Sequence, residues 1–247
     1  MKPQFPKRAL HVDAWRGGAC VLMIFYHFCY DFNYLQIVTF DFYHHPFWLS
    51  LRTLIVGLFV GIAGMSLHLA TVKGLRLQAF IKRLAILLCC AILISVVSFI
   101  LFHERFIFFG ILHFIALASL LGLLFLRWLW FNFICGSTLL VIGVTYQHPF
   151  FNSELFQWIG LMTHKPATED YVPLLPWFGL VLLGIALSRY LYVGGYLHGQ
   201  IQSLWGRRLA WMGQHSLLIY MLHQPILLAG LWTFWKLYLL IFRYKFT

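Results

Sequence analysis

Long apolar runs alternate with short polar gaps along the whole chain. A run of about 20 apolar residues is long enough to cross a bilayer as a helix. Seven such runs are present, at roughly 14–35, 48–70, 80–102, 106–126, 129–146, 173–192 and 212–235. The pattern predicts an all-α fold, a polytopic transmembrane helical bundle of about seven spans. The tail KLYLLIFRYKFT either carries basic residues past the last span or returns as an eighth short helix. No low-complexity segment or clear internal repeat divides the series, so residues 1–247 read as a single integral-membrane domain. The first run is full length and lacks the short apolar region and small-residue cleavage site of a signal peptide, so it is expected to stay as a helix. Pro173 and Pro176 open the sixth run, where a helix's first turn loses no amide bond.

Composition narrows the class. The chain is 62% hydrophobic and 10% charged, with a mean hydropathy of +0.81. A soluble domain carries about 25% charged residues. The net charge of +11 would point to nucleic acid in a soluble protein. Here the basic residues sit mainly in short loops, where they set orientation instead, so the expected partner is the lipid bilayer and no nucleic acid. With a cytoplasmic N-terminus, the inner side holds 11: Lys2, Lys7, Arg8, Lys73, Arg76, Lys82, Arg83, Arg127, Arg189, Arg207 and Arg208. The outer side holds five: Arg105, Lys165, Lys236, Arg243 and Lys245. This orientation puts 36–47 and 147–172 outside, 71–79 and 190–210 inside. The five cysteines all lie in apolar runs without ligand spacing, and no His pair has the spacing of a metal site, so no metal is expected.

The candidate chemistry starts in the first run. An ionisable group in a bilayer is costly, and it usually faces the bundle interior or a water-filled cavity. Arg16 and His27 are eleven residues apart, about three helical turns, so they share one face at a separation of roughly 16 Å. Asp31 follows His27 by four and can meet it on that face. Gly17 and Gly18 keep the helix entry slim, which suits a close helix contact or a ligand against backbone. Other segments add His44, His45, Arg52, His113, Asp170, Tyr220, His223 and Gln224 to the same outer half. A continuous last helix would put His223 about 22 Å above Arg208. Histidines beside carboxylates and an arginine can do general acid/base work near neutral pH. Each residue also has a structural reading. Arg16 can simply tie to Asp13 at i−3, His44 and His45 can be interfacial residues, and His223 can bond a neighbouring helix.

The ordered pattern Arg8, Asp13, Arg16, Gly17, His27, Asp31 resembles the opening of membrane-bound acyltransferases. It is most similar to bacterial relatives of the catalytic domain of heparan-alpha-glucosaminide N-acetyltransferase. The stretches HPFW (45–48), GIAGMSL (61–67), FGILHFIA (109–116), DYVPLLPWFG (170–179) and GQHSLLIYMLHQP (213–225) extend the likeness over nearly the whole chain. The resemblance implies transfer of an acetyl group from cytosolic acetyl-CoA, as co-substrate, to a sugar or glycan acceptor at the outer face. It also implies that the active-site histidine stands just before a Trp on the loop after the first span. His45 matches, and the adjacent His44 leaves the assignment open by one position. Arg52 stands near where the animal enzyme has an acidic residue. On this reading Arg16 and the inner basic loops hold the CoA phosphates, and the acyl arm runs along Gly17–Gly18. His45, or His27 oriented by Asp31, takes the acceptor proton or carries the acetyl group. Arg52 or His113 stabilises the oxyanion, with His223 close by. Asp170, Trp177, Tyr220 and Gln224 are the expected acceptor contacts. Two other classes compete: a proton-coupled transporter, since intramembrane His and Asp also mark proton relays, and a non-catalytic envelope assembly protein. The acceptor, O- versus N-acetylation and homodimer formation are left open.

Overall fold

The computed structural model describes residues 8–197 and 199–243; Lys2, Lys7 and Lys245 lie outside them. The described residues form eight α-helices, several short 3₁₀ turns and no strand. The helices are α1 (Leu10–Tyr34), α2 (Pro46–Thr71), α3 (Leu77–Phe102), α4 (Ile111–Gly122), α5 (Leu129–Thr145), α6 (Leu174–Val193), α7 (Leu204–Gln214) and α8 (Ser216–Arg243). Four stretches are long and apolar enough to cross a membrane: Pro46–Thr71, Leu77–Arg105, Leu174–Val193 and Ser216–Phe234. Two shorter apolar helices, Ile111–Phe125 and Leu129–Thr145, follow the fourth and fifth runs. The 25-residue α1 carries the first. The protein is an all-helical integral membrane bundle.

Two expectations need correction, both near the C-terminus. The last span does not begin at 212. A separate helix, α7, occupies Leu204–Gln214, and the chain breaks at His215 (φ −104°, ψ 18°) before α8 starts. His223 therefore does not stand on one continuous helix with Arg208. Counting apolar runs misses α7 because it is amphipathic: Trp205, Arg207, Arg208 and Trp211 are exposed, while Ala210 and Gly213 are buried. As far as Arg243 the tail does not turn back as an eighth short span, because α8 continues unbroken to that residue; the rest of the tail, 244–247, lies outside the described residues. Pro225 lies inside α8.

The chain forms two compact units. The first comprises Met1–Val12 and Val56–Ile201. Its centre is α6, whose Phe178, Val181, Leu182, Ile185 and Ala186 are buried. A Cβ on Gly184 would strike the Gly61 carbonyl and one on Gly64 the Val181 carbonyl, so α2 and α6 meet backbone to backbone. Such close approach through small residues is how helices gain packing where lipid offers no hydrophobic contrast. Pro173 is the N-cap of α6, and Leu175 is extended (φ −104°, ψ 137°), so the regular helix runs from Pro176. The second unit comprises Asp13–Ile55 and Gln202–Thr247, and so holds most of α1, the start of α2, α7 and α8.

Candidate functional site

The second unit is pinned together at the entry of α1. Arg16 Nη1 donates to Asp13 Oδ1 at 2.9 Å and to the Gly213 carbonyl of α7 at 3.1 Å. A Cβ on Gly17 would collide with the Leu209 carbonyl, and one on Gly213 with the Asp13 carbonyl. Gly17 is thus small because α7 lies against it. Gly18 differs, since a Cβ there would meet nothing within 4 Å. The tie between Arg16 and Asp13 is present, and the same guanidinium reaches across to a second helix.

Eleven residues along α1, its stripe meets α8. The His27 and His223 rings stand edge to face with centroids 4.8 Å apart. One turn on, Gln224 Nε2 donates to Asp31 Oδ1 at 2.7 Å. Asp31 is only 1% exposed. The His223 Nδ1–H donates to the Tyr220 carbonyl at 2.7 Å, which leaves Nε2 of the neutral ring as an acceptor. Among the described residues, five buried side-chain polar atoms lack a hydrogen-bond partner. Four belong to this layer: His27 Nδ1, Asp31 Oδ2, His223 Nε2 and Gln224 Oε1. The carboxylate and amide oxygens accept only, so the layer is rich in acceptors and suits a hydroxyl, an amine or water. An unsatisfied buried polar group costs about 1–3 kcal/mol, which makes four in one place a feature that packing does not explain.

The connection between α1 and α2 is ordered by aromatic packing. Phe42 is 2% exposed and Trp48 8%. Their rings lie 4.4 Å apart, with Tyr26 at 5.4 Å from the first and 6.0 Å from the second. The Phe40 amide donates to Asn33 Oδ1 at 2.7 Å. On this platform Asp41 Oδ1 accepts the amides of Tyr43 (3.2 Å) and His44 (2.9 Å) and the His44 ring Nδ1 (3.1 Å). Desolvation alone would raise the Asp41 carboxyl; the hydrogen bonds from the His44 amide, the His44 ring and the Tyr43 amide together outweigh it and hold the group below its ordinary value. His45 plays another part. It precedes Pro46, the first residue of α2, and its Nδ1 accepts the Phe47 amide at 3.2 Å, an N-cap. A nitrogen that accepts an amide carries no proton, so the neutral His45 ring keeps its proton on Nε2. The neutral His44 ring, donating from Nδ1, keeps a basic Nε2 in the open. Asp41 was missed in the sequence; the spacing Asp-x-x-His, with the turn-forming habit of Asp, was the available signal. Arg52, half-buried on α2, makes no hydrogen bond or ion pair among the described residues.

The remaining expected residues lie in the first unit. His113 Nδ1 accepts the Gly110 amide at 3.3 Å and its Nε2 lies 3.2 Å from Ser95 Oγ, which itself donates to the Ile107 carbonyl at 2.6 Å. Asp170 Oδ2 accepts the Ile111 amide at 2.9 Å. Both therefore serve the amides at the start of α4 that the helix itself leaves without a partner. Trp177 is half-buried near the start of α6. Arg16, Gly17, His27, Asp31, Tyr220, His223 and Gln224 are brought together along α1 with α7 and α8, while His44, His45 and Arg52 belong to the adjoining loop and the first turns of α2. No three His, Cys, Asp or Glu side chains are arranged to hold a metal ion among the described residues.

A family model, described as heparan-alpha-glucosaminide N-acetyltransferase, catalytic, matches residues 8–225. No curated protein and no solved structure matches the chain.

Proposed function

The chain belongs to that family of membrane acetyltransferases, and on this premise we propose that it moves an acetyl group from cytosolic acetyl-CoA to a hydroxyl or amine of a sugar or glycan at the outer face of a bacterial cytoplasmic membrane. One observation carries the reading: the four acceptor-rich orphan atoms of the α1–α8 layer, on the same helix as Arg16. The 11-to-5 split of basic residues supports a cytoplasmic N-terminus. Arg16 then takes a CoA phosphate in addition to its tie to Asp13, and the acyl arm lies along the open flank at Gly18.

The acceptor O–H or N–H donates to a basic ring nitrogen, His223 Nε2 or His27 Nδ1, with Asp31 and Gln224 receiving its neighbouring hydrogens. The acceptor atom attacks the thioester carbonyl carbon as its proton passes to the ring. Arg52 is proposed to face the oxyanion that forms. The carbon–sulfur bond breaks, and the ring returns the proton to the departing CoA thiolate. A two-step version places the acetyl group first on a histidine nitrogen, and the exposed Nε2 of His44, oriented by Asp41, suits that role better than the capping ring of His45.

Purified protein incubated with radiolabelled acetyl-CoA and a panel of sugars tests the proposal. Label is expected in the sugar, and also on the protein if the two-step route operates. A folded protein that neither hydrolyses acetyl-CoA, labels itself nor transfers the label would overturn the reading and favour the proton-coupled transporter.

A further inference from the structure

The corner between α2 and α3, in the first unit, turns tightly beside a groove. Gly74 adopts φ +101° and its amide donates to the Thr71 carbonyl at 2.8 Å, closing a tight turn that a Cβ-bearing residue would strain. Just after the turn, Arg76 lines a groove of about 190 Å³. Leu67 of α2, Phe80 and Leu84 of α3 and Ser119 of α4 form its walls, and Arg83 joins Arg76 in lining it. Arg76 and Arg83 are seven residues apart, about two turns, so they share one face of the helix start. Lys73 and Lys82 add charge outside the groove, and no acidic residue occurs from 42 to 103.

Depth decides what such a groove receives. Pro46–Thr71 and Leu77–Arg105 are both long enough to span the bilayer, so the turn joining them sits at the membrane surface, at headgroup level. Two guanidiniums and hydrocarbon side chains lining one groove match a ligand that is anionic at one end and apolar at the other. A free phosphate would use the arginines and leave the walls idle. Basic pockets between transmembrane helices are where anionic headgroups dock, and long Arg stems can lie along apolar walls while their heads stay at the surface. We propose that this groove binds one anionic phospholipid, its phosphodiester held by Arg76 and Arg83 and an acyl chain running down between Phe80 and Leu84.

Thermal unfolding of the purified full chain, in detergent with added phosphatidylglycerol or phosphatidylcholine, provides the test. Phosphatidylglycerol should raise the midpoint by about 3–8 °C, the scale for a ligand well above its Kd on a protein of this size; phosphatidylcholine should not. The shift should vanish in R76Q/R83Q. It should also vanish in Ala79→Trp, which fills the groove without touching its charge. K73Q/K82Q removes the same charge outside the groove and should keep the shift. Loss of the shift in K73Q/K82Q would reveal general surface attraction and overturn the site. So would a shift that survives R76Q/R83Q and Ala79→Trp. An equal, Arg76- and Arg83-dependent shift with inorganic phosphate or acetyl-CoA would assign the groove to a water-soluble phosphate and likewise overturn the lipid.

Discussion

The start of α4 and the α1–α8 layer contain the same kinds of side chain and use them in opposite ways. At α4, His113, Asp170, Ser95, Ser98 and Thr168 are knitted into backbone groups: Ser98 Oγ accepts the Ile107 amide at 2.9 Å, and Thr168 Oγ1 donates to the Phe106 carbonyl at 2.7 Å. Polar side chains there supply the partners that a helix end in an apolar setting lacks. In the layer, His27 pairs with His223 and Asp31 with Gln224, so the expected hydrogen bond between Asp31 and His27 is not formed, and four atoms stay unmatched. A histidine whose two nitrogens are both engaged by its own fold serves as structure, and one left with a buried unused nitrogen is kept for a visitor.

The strongest way to break this contrast is to remove one histidine from each region. His27→Ala is expected to lower turnover by about 10²- to 10⁴-fold, the usual share of a proton-transfer group, with little change in acetyl-CoA binding. His113→Ala should leave turnover per folded molecule near wild type; equal losses in both would dissolve the distinction. Next in size is Arg16→Ala. Loss of a charged hydrogen bond of about 1.5–3 kcal/mol corresponds to roughly 10- to 150-fold weaker acetyl-CoA binding. Arg16→Lys should recover only part of it, because Lys lacks the planar fork. Unchanged acetyl-CoA titration in a folded Arg16→Ala protein would leave only the tie to Asp13 and Gly213.

Asp170→Ala should cost about 0.5–2 kcal/mol of stability, the range for a lost cap, read as a lower unfolding midpoint with activity retained. Within the α1–α2 loop the contrast recurs one residue apart. His45→Ala should lower the unfolding midpoint by removing a cap, whereas His44→Ala should reduce self-labelling by acetyl-CoA and leave the midpoint alone; the reverse pattern would exchange their roles. The smallest effect is the titration of Asp41. Its folded pKa lies below the ordinary 3.8, so the stabilisation of the loop is fully present above that value and is lost as the pH falls through the lower folded pKa. Carbon-labelled aspartate followed by NMR should show a midpoint under 3.8 that returns upward in His44→Ala.

The helical class was legible because the apolar runs are long and follow one another along the chain, and the bounds of the first six helices fall within about five residues of the runs, while α8 starts at Ser216 and continues to Arg243. The face of α1 that carries His27 and Asp31 was legible from the three-and-four residue period, but that period does not say which helix meets it, and the pairs formed with His223 and Gln224 of α8 were not legible. The His113 and Asp170 caps were not, because a side chain that bonds a backbone amide has the same letter code as one that awaits a ligand. α7 escaped notice because its pattern depends on a surface, one side exposed and the other against α1, and not on length. Gly17 read equally well as ligand groove or helix contact until the Leu209 carbonyl was found against it.

Pro225 sits directly after Gln224. It brings no amide hydrogen, so the Met221 carbonyl, one turn earlier, loses the donor an ordinary residue would supply. The proline also makes this the point of α8 with the least resistance to bending. The stretch of α8 that faces α1 with His223 and Gln224 is therefore the one where the helix's own hydrogen-bond ladder is interrupted.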